Sequence, residues 1–420
     1  MKNIALLAMP LLAATLTFCT DCGGQPAASG QAVATTVAAN DSIAIKSKKD
    51  PIKPIAVAAE DTSAYLPILR GKRVALTANP TAQAFGNHLL DVLIEGGVKV
   101  ERVFAPEHGF RGAAEPGEKV DTEIDQKTGV KIVSLYGKNL KPTPQQMSGL
   151  DYVVYDIQDV GCRFFTYIST LHNVMEAAAE ANVKVLVLDR PNPNIDYVAG
   201  PIRDADCVSF VSMDPIPIVY GMTVGELAQM INGEGWLKGG IKCDLTVIPV
   251  ANYDRSMRYQ LPVKPSPNLP DYLSVRLYPS LCLFEATNIS VGRGTETPFT
   301  FIGYPDQKYG EYVFTPKDIP GMQTNPMHEG MKCYGVDFHD VNPDSTRFTL
   351  RYFIDMYRIS GGTCITSQNL LGKLYGNKTL VKMLASGATE DQIVQSWEPG
   401  LSDFVKKRQK YLIYKQKITD

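Results

Sequence analysis

The chain has 420 residues, enough for two packed domains, because single cores usually stop growing at about 250 to 300 residues. Its 42 Lys and Arg are offset by 44 Asp and Glu, a formal net charge of −2. That balance favours neither a nucleic-acid partner nor an anionic bilayer, so any charged ligand must be held by local residues.

At the start, "MKNIALLAMPLLAATLTFCTDCGG" sets Lys2 before an apolar run from Ile4 to Phe18, then Cys19 and Cys22, the layout of a secretory signal over residues 1–22. The expectation is an exported protein, periplasmic or associated with the outer membrane. A lipoprotein signal wants a small residue before its acylated cysteine, whereas Phe18 and Asp21 precede these two, so an N-terminal lipid anchor stands as an open alternative. Residues 23–61 are rich in Ala, Ser, Thr and Lys, and read as a flexible linker.

A strand-then-helix rhythm occupies residues 62–265. It runs through "RVALTA" (73–78), a helical pattern in "AFGNHLLDVLIEGG", "KVERVFA" (99–105), "KIVSLYG" (131–137) and "DYVVYDI" (151–157). The helical "TYISTLHNVMEAAAEAN", "KVLVLDR" (184–190), the helical "TVGELAQMINGEGW" and the strand-like "DLTVIPV" complete it. Such alternation predicts an α/β fold built on a parallel, helix-covered sheet. Residues 266–420 mix extended stretches with helical ones such as "LRYFIDMYRIS" and "TEDQIVQSW", predicting a smaller α/β domain that faces the first. Polar clusters stand just after several strands, and in open parallel sheets those positions converge at the carboxyl edge, where ligands bind.

The six cysteines after the signal, Cys162, Cys207, Cys243, Cys282, Cys333 and Cys364, are spread singly with no CxxC spacing. No zinc site is implied, and their apolar contexts predict buried free thiols. There is no GxxxxGK[ST] loop, GxGxxG fingerprint, GxSxG elbow or HExxH helix. Nucleotide cofactors, zincins and the easily recognised serine hydrolases therefore lack local support.

What remains is a dense set of carboxylates, amides and arginines: Glu107, His108, Arg111 and Glu115, then Asp156, Gln158, Asp159, Arg163 and Tyr167, then Asp189, Arg190 and Asn192. This inventory suits a sugar, whose hydroxyls need directional donors and acceptors. Glycoside cleavage commonly uses one protonated carboxyl to assist the leaving oxygen and a second group at the anomeric carbon. Glu107, between Phe104, Pro106 and Phe110, is the candidate acid, since apolar surroundings favour the protonated form of a carboxyl. The plainer alternative is that Glu107 and His108 only hydrogen-bond a loop. Asp159 reads equally as a helix N-cap, Asp156 as a strand-end site residue, and Arg163 as a bidentate contact for an acidic group. Asp189 and Arg190 also read as a self-contained pair bracing a proline-stiffened turn. "KPSPNLP" (264–270) resembles a rigid linker carrying Asn268, while "FEATNISVGRGTETPF" (284–299) brings Glu285, Asn288, Arg293 and Thr295 into one glycine-punctuated loop. His88 and His172 stand in helical patterns, where packing is the commoner role.

Taken in order, "FAPEHGFRGAAEPGEKV", "YDIQDVGCRFFTYISTL", "LDRPNPN", "PIPIVYGMTVGELAQMINGE", "KPSPNLP" and "LFEATNISVGRGTETPF" resemble the bacterial DUF1343 family, associated with exo-β-N-acetylmuramidases of the NamZ type. The resemblance implies a Rossmann-like domain and a smaller domain around a cleft. It also implies release of terminal N-acetylmuramic acid from the non-reducing end of peptidoglycan fragments, with those sugars or muropeptides as the partners and no cofactor or metal. On this reading Glu107 is the catalytic acid, His108 assists its proton transfer or a sugar hydroxyl, and Arg111 orients the loop or the ligand. Glu285 and Asp156 are both candidate partners of Glu107. Muramic acid carries a lactyl carboxylate, so one of Arg111, Arg163, Arg190 or Arg293 is expected to clamp it. Two departures from the family pattern are Cys162, where a small residue such as Ala is expected, and "PNPNIDYVAGP", which lacks a paired glycine and "EGP". The rival reading from another class is a cell-envelope protein that binds wall sugars without turnover. An esterase or amidase is weaker still, because no activated nucleophile is apparent.

Overall fold

Apolar runs such as "RVALTA" can be strands only where both faces are covered. The computed structural model, which describes residues 53–107, 109–111 and 123–415, meets that condition: β1 (Arg73–Ala78) buries every residue after Arg73. A small hairpin follows, β2 (Gln83–Ala84) and β3 (Asn87–His88), and then β4 (Lys99–Ala105), β5 (Glu123–Ile124) and β6 (Lys131–Ser134). β7 (Tyr152–Asp156), β8 (Lys184–Leu188) and β9 (Leu245–Ile248) complete the N-terminal part. The main sheet has the order β5-β6-β4-β1-β7-β8-β9, parallel throughout except for the antiparallel edge strand β5. Numbered among themselves, the parallel strands read 3-2-1-4-5-6, the doubly wound order, which reverses between β1 and β7. Thr77 of β1 lies between Phe104 of β4 and Tyr155 of β7. The three central strands thus end level, and the loops after them emerge side by side.

Helices α1 (Thr62–Leu69), α2 (Leu89–Glu95), α3 (Pro144–Met147), α4 (Tyr167–Glu180) and α5 (Val224–Glu234) accompany the sheet. α4 is buried from Tyr167 to Ala178, the mark of a helix sandwiched between layers. α5 opens on a reciprocal capping box of Thr223 and Glu226 and stops at Gly235, whose φ of 71° is the left-handed cap that glycine supplies without strain. The C-terminal part holds α6 (Tyr272–Leu281), a three-stranded antiparallel sheet of β10 (Phe301–Tyr304), β11 (Tyr312–Phe314) and β12 (Cys333–Asp337), and α7 (Arg351–Ile359), α8 (Gln368–Tyr375), α9 (Thr379–Ala385) and α10 (Glu390–Arg408). One hydrophobic cluster joins Tyr155 and Leu171 of the first part to Leu277, Phe353 and Trp397 of the second. The chain from Lys53 onward is accordingly one compact unit.

Three expectations need correction. The helical pattern from Ala84 does not begin as a helix: Phe85 and Gly86, with φ of 53° and 77°, form a hairpin turn, and α2 starts only at Leu89. Positive φ at both turn residues suits the tight hairpin and is incompatible with a helix. His88 then accepts from the backbone N–H of Leu90, capping α2 instead of lying inside it. The linker does not reach residue 61: Val57, Ala58 and Ala59 are buried, Ala56 bridges Ala251, and the Ala58 N–H donates to the Asp189 carbonyl. Small side chains that cannot form a core alone dock here against a sheet already built. The chain's end also returns to the first part, where Tyr414 packs against Val250 and Tyr253. The signal and the linker as far as residue 52 lie outside the described residues, as do His108 and Glu115. All six described cysteines are buried and unpaired. No described helix is long and apolar enough to cross a membrane.

Candidate active site

Three cavities adjoin one another, the first two at the carboxyl edge of the sheet. The smallest and most enclosed, about 180 Å³, takes Glu107 from the loop after β4, Thr166 and Tyr167 from the start of α4, and Asn268 from the proline-rich stretch. Tyr278 of α6, Glu285, Arg293 and Phe299 close its other side. Tyr167 and Ser266 are shared with a larger cavity of about 550 Å³, which includes the Asn79–Thr81 turn after β1. Glu285 and Arg293 are shared with a third, of about 320 Å³. The site thus straddles the reversal of strand order, where an open α/β sheet leaves a crevice.

Among the described residues few groups restrain Glu107. The Thr166 hydroxyl donates to its Oε2 at 3.2 Å. Beside it, the Tyr167 phenol donates to the Pro265 carbonyl at 3.1 Å, and burial, reinforced by the Glu107 charge, pushes that phenol above its ordinary pKa. Tyr167 therefore stays protonated and pins "KPSPNLP" to α4. That stretch is a wall of the site, not merely a connection. Asn268 donates to the Met322 carbonyl at 2.9 Å, while its Oδ1 is buried without a partner among the described residues. An unmatched buried acceptor costs about 1–3 kcal/mol and suits a ligand hydroxyl or N–H.

At the opposite end Arg293 Nε lies 3.0 Å from Glu285 Oε1, and its guanidinium stands 5.3 Å from the centre of the Phe299 ring. Phe299 is wholly buried at a φ of 62°. A bulky residue in the left-handed region stores about 1–3 kcal/mol of strain, tolerated where the surroundings fix it for a purpose. Here that conformation holds the ring under Arg293.

The other predicted residues form the frame around the cavity. Arg111 pairs with Asp91 at 2.7 Å and Asp125 at 2.9 Å, so it orients the loop after Glu107 and lines only the larger cavity. Asp156 and Arg190 form a buried ion pair, Oδ2 to Nη2 at 2.8 Å, and Arg190 also reaches the Gln83 carbonyl. Asp156 therefore cannot face Glu107, and Arg190 pairs across strands instead of with Asp189. Arg163, wholly buried, donates to the carbonyls of Pro201, Ile216 and Leu374, leaving no bidentate face for a substrate. Asp159 is not a helix cap, since Thr166 holds that position; it accepts from Gly161 N–H at 2.5 Å and from the Tyr220 hydroxyl, and burial pushes its pKa up to about 6.

Gln158 bridges the Asp159 and Pro191 carbonyls, and Asn192 bridges Met222 to Asn194, both as loop braces. Asp189 accepts from the Thr223 and Tyr414 hydroxyls at 2.7 and 2.6 Å, and burial pushes it up to about 7. Thr295 donates to the Gly292 carbonyl, and the Asn288 carbonyl accepts from the His328 ring, so these two shape the Glu285–Arg293 loop from behind. His172, as its helical context suggested, is packed, against Asp214 at 2.8 Å.

Residue-type reasoning missed Thr166, Ser266, Tyr278 and Phe299, all lining the enclosed cavity. Thr166 alone had a local signal, a hydroxyl at the start of a helix. Among the described residues no group of three or more His, Cys, Asp or Glu is placed to hold a metal ion.

Comparison with known proteins decides the family. Residues 74–273 match the model described as exo-β-N-acetylmuramidase NamZ, N-terminal, and residues 276–414 match its C-terminal counterpart. The chain belongs to the NamZ family. A curated NamZ relative, the peptidoglycan β-N-acetylmuramidase NamZ of Bacillus subtilis, is 39% identical over 373 residues, covering 83% of this chain and 89% of that protein. Two crystal structures of DUF1343 family proteins from Bacteroides fragilis share this fold. One superposes with a TM-score of 0.80 at 42% identity, covering 87% of this chain and 100% of that one. The other gives 0.76 at 29% identity, covering 86% and 99%. The two NamZ family models meet within the first turn of α6, inside the single compact unit.

Proposed function

We propose that this protein is an exo-acting β-N-acetylmuramidase that releases terminal N-acetylmuramic acid from the non-reducing end of peptidoglycan fragments. One observation carries the reading: Glu107 and Glu285 line the same enclosed cavity, and the Glu285–Arg293 ion pair walls its far end off from the cavity beyond. Two carboxyl groups about one sugar-sized space are the usual equipment of a glycosidase. A wall at one end accepts a chain terminus and refuses a chain interior.

Glu107 is the acid. Thr166 occupies one of its oxygens, which leaves the other to protonate the departing glycosidic oxygen. Glu285 is the second group, held by Arg293, and it acts at the anomeric carbon directly or through the nucleophile that attacks it. The lactyl carboxylate falls to Arg293, because Arg163 and Arg190 are buried away from the cavity lining and Arg111 is bound by two carboxylates outside this cavity. Asn268 Oδ1 takes a sugar donor. Export, with or without a lipid anchor, is our reading of residues 1–22 and places the enzyme with its substrate.

The test is release of N-acetylmuramic acid from a chromogenic β-N-acetylmuramide by the parent and by Glu107→Gln. Release by the parent, and its loss in a folded variant that still binds the sugar, is expected. A folded parent that binds muramides without releasing sugar would favour the envelope-binding alternative.

A further inference from the structure

The 550 Å³ cavity has no part in holding the terminal sugar, yet it opens from the enclosed one across Tyr167 and Ser266. That junction lies at the Glu107 end, since Thr166, the partner of Glu107, directly precedes Tyr167. The leaving group of a glycosidase lies beside its acid, so the chain left behind must run into this larger space. The opposite end is closed by Glu285 and Arg293.

The walls of the larger cavity are rigid and its charge is one-sided. Pro80, Pro265, Pro267 and Pro320 line it, and their fixed φ means little ordering cost when a chain docks. It has two cations, Arg111 and Lys264. Arg111 is neutralised within its own network, where Arg111 and Lys127 face Asp91 and Asp125. Lys264 is exposed and makes no ion pair among the described residues. Among the described residues the cavity therefore presents one uncompensated ammonium, set on a proline-stiffened segment that Tyr167 ties to the site.

From this arrangement we infer that the larger cavity is a leaving-group subsite that recognises an anionic sugar beyond the first leaving residue, through Lys264. The inference rests on the muramidase reading. In a glycan that alternates an uncharged N-acetylhexosamine with an acidic one, the residue beside Glu107 on the leaving side is uncharged and the next carries a carboxylate. Lys264 meets that carboxylate, so the enzyme prefers a longer acidic chain to a disaccharide.

The experiment compares kcat/KM for the disaccharide muramyl-glucosamine and for the tetrasaccharide of two such repeats, using the full chain, Lys264→Met and Lys264→Arg. An exposed charge contact is worth up to about 1 kcal/mol, or roughly fivefold. The parent is expected to prefer the tetrasaccharide. Lys264→Met is expected to lower its kcat/KM about fivefold more than that of the disaccharide, Lys264→Arg to restore the preference, and added salt to erode it. Equal effects on both substrates, or no parental preference, would overturn the subsite while leaving the muramidase intact. A parent that cleaves neither substrate, nor the chromogenic muramide, would remove the activity itself and the subsite with it.

Discussion

The Thr166 hydroxyl and Glu107 Oε2, 3.2 Å apart, tie the start of α4 to the loop after β4 across the point where strand order reverses. One hydrogen bond thereby links the acid to two layers of the fold. Thr166→Val keeps the shape and removes the donor. Because Glu107 becomes a carboxylate as it gives up its proton, and a hydrogen bond to a charged group is worth about 1.5–3 kcal/mol, kcat on the muramide should fall at least about tenfold, with Thr166→Ser close to the parent. An unchanged kcat in the valine variant would show that Glu107 is positioned without it.

Arg293 separates two roles that residue type alone cannot. If it clamps the lactyl carboxylate as well as Glu285, Arg293→Lys loses the planar fork but keeps the charge. KM for muramides should rise about tenfold. Inhibition by N-acetylglucosamine, which lacks the lactyl group, should change far less. Equal weakening of both sugars would assign Arg293 to Glu285 alone.

Arg163 makes the contrary case. Its three carbonyl acceptors include Leu374 of α8, so it stitches the two parts of the chain together from inside. Lysine cannot reach three carbonyls in that fork. Arg163→Lys should lower Tm by about 5–10 °C while KM of the folded enzyme holds. A stable variant with a raised KM would return Arg163 to the substrate.

Stability should also depend on pH in a way that follows from Asp189. Its ordinary carboxyl value is 3.8, and burial pushes it up to about 7 in the fold. Between those values the unfolded chain has lost the proton that the native state keeps, so stability falls as pH rises from about 4 to 7. Asp159, pushed up to about 6, adds to the same slope. Asp91, held down at about 2 chiefly by Arg111, acts in the other direction, and its contribution is lost as pH falls from about 4 toward 2. Tm measured against pH should therefore peak at mildly acid pH, and Asp189→Asn should flatten the decline above it. An equally steep decline in that variant would mean that Asp189 ionises in the fold.

Periodicity was sufficient for the sheet. β1 and β4 coincide with the runs "RVALTA" and "KVERVFA": β1 is buried from Val74 onward and β4 over its last three residues, and stretches covered on both faces of a sheet must be mainly apolar, a property of neighbouring residues. The same local logic located the loops at the carboxyl edge, and with them Glu107 and Tyr167, while Glu285 and Arg293 stood out in the glycine-punctuated loop of the C-terminal part. Local logic failed at residues 84–88, where a turn with two positive φ values interrupts a pattern that continues as a helix.

Which charges face the cavity is another matter. Asp156 and Glu285, or Arg163 and Arg293, are interchangeable as letters, and each pair offers the same functional group to a substrate. Only packing separates them: Asp156 and Arg163 are sealed behind the sheet edge by partners far away in the chain, whereas Glu285 and Arg293 are left at the cavity wall. The order of residues along the chain was enough for the strands and their loops, since those depend on neighbours. The division of the carboxylates and guanidiniums into framework and site needed the folded molecule, because a buried charge is decided by what lies across the fold from it.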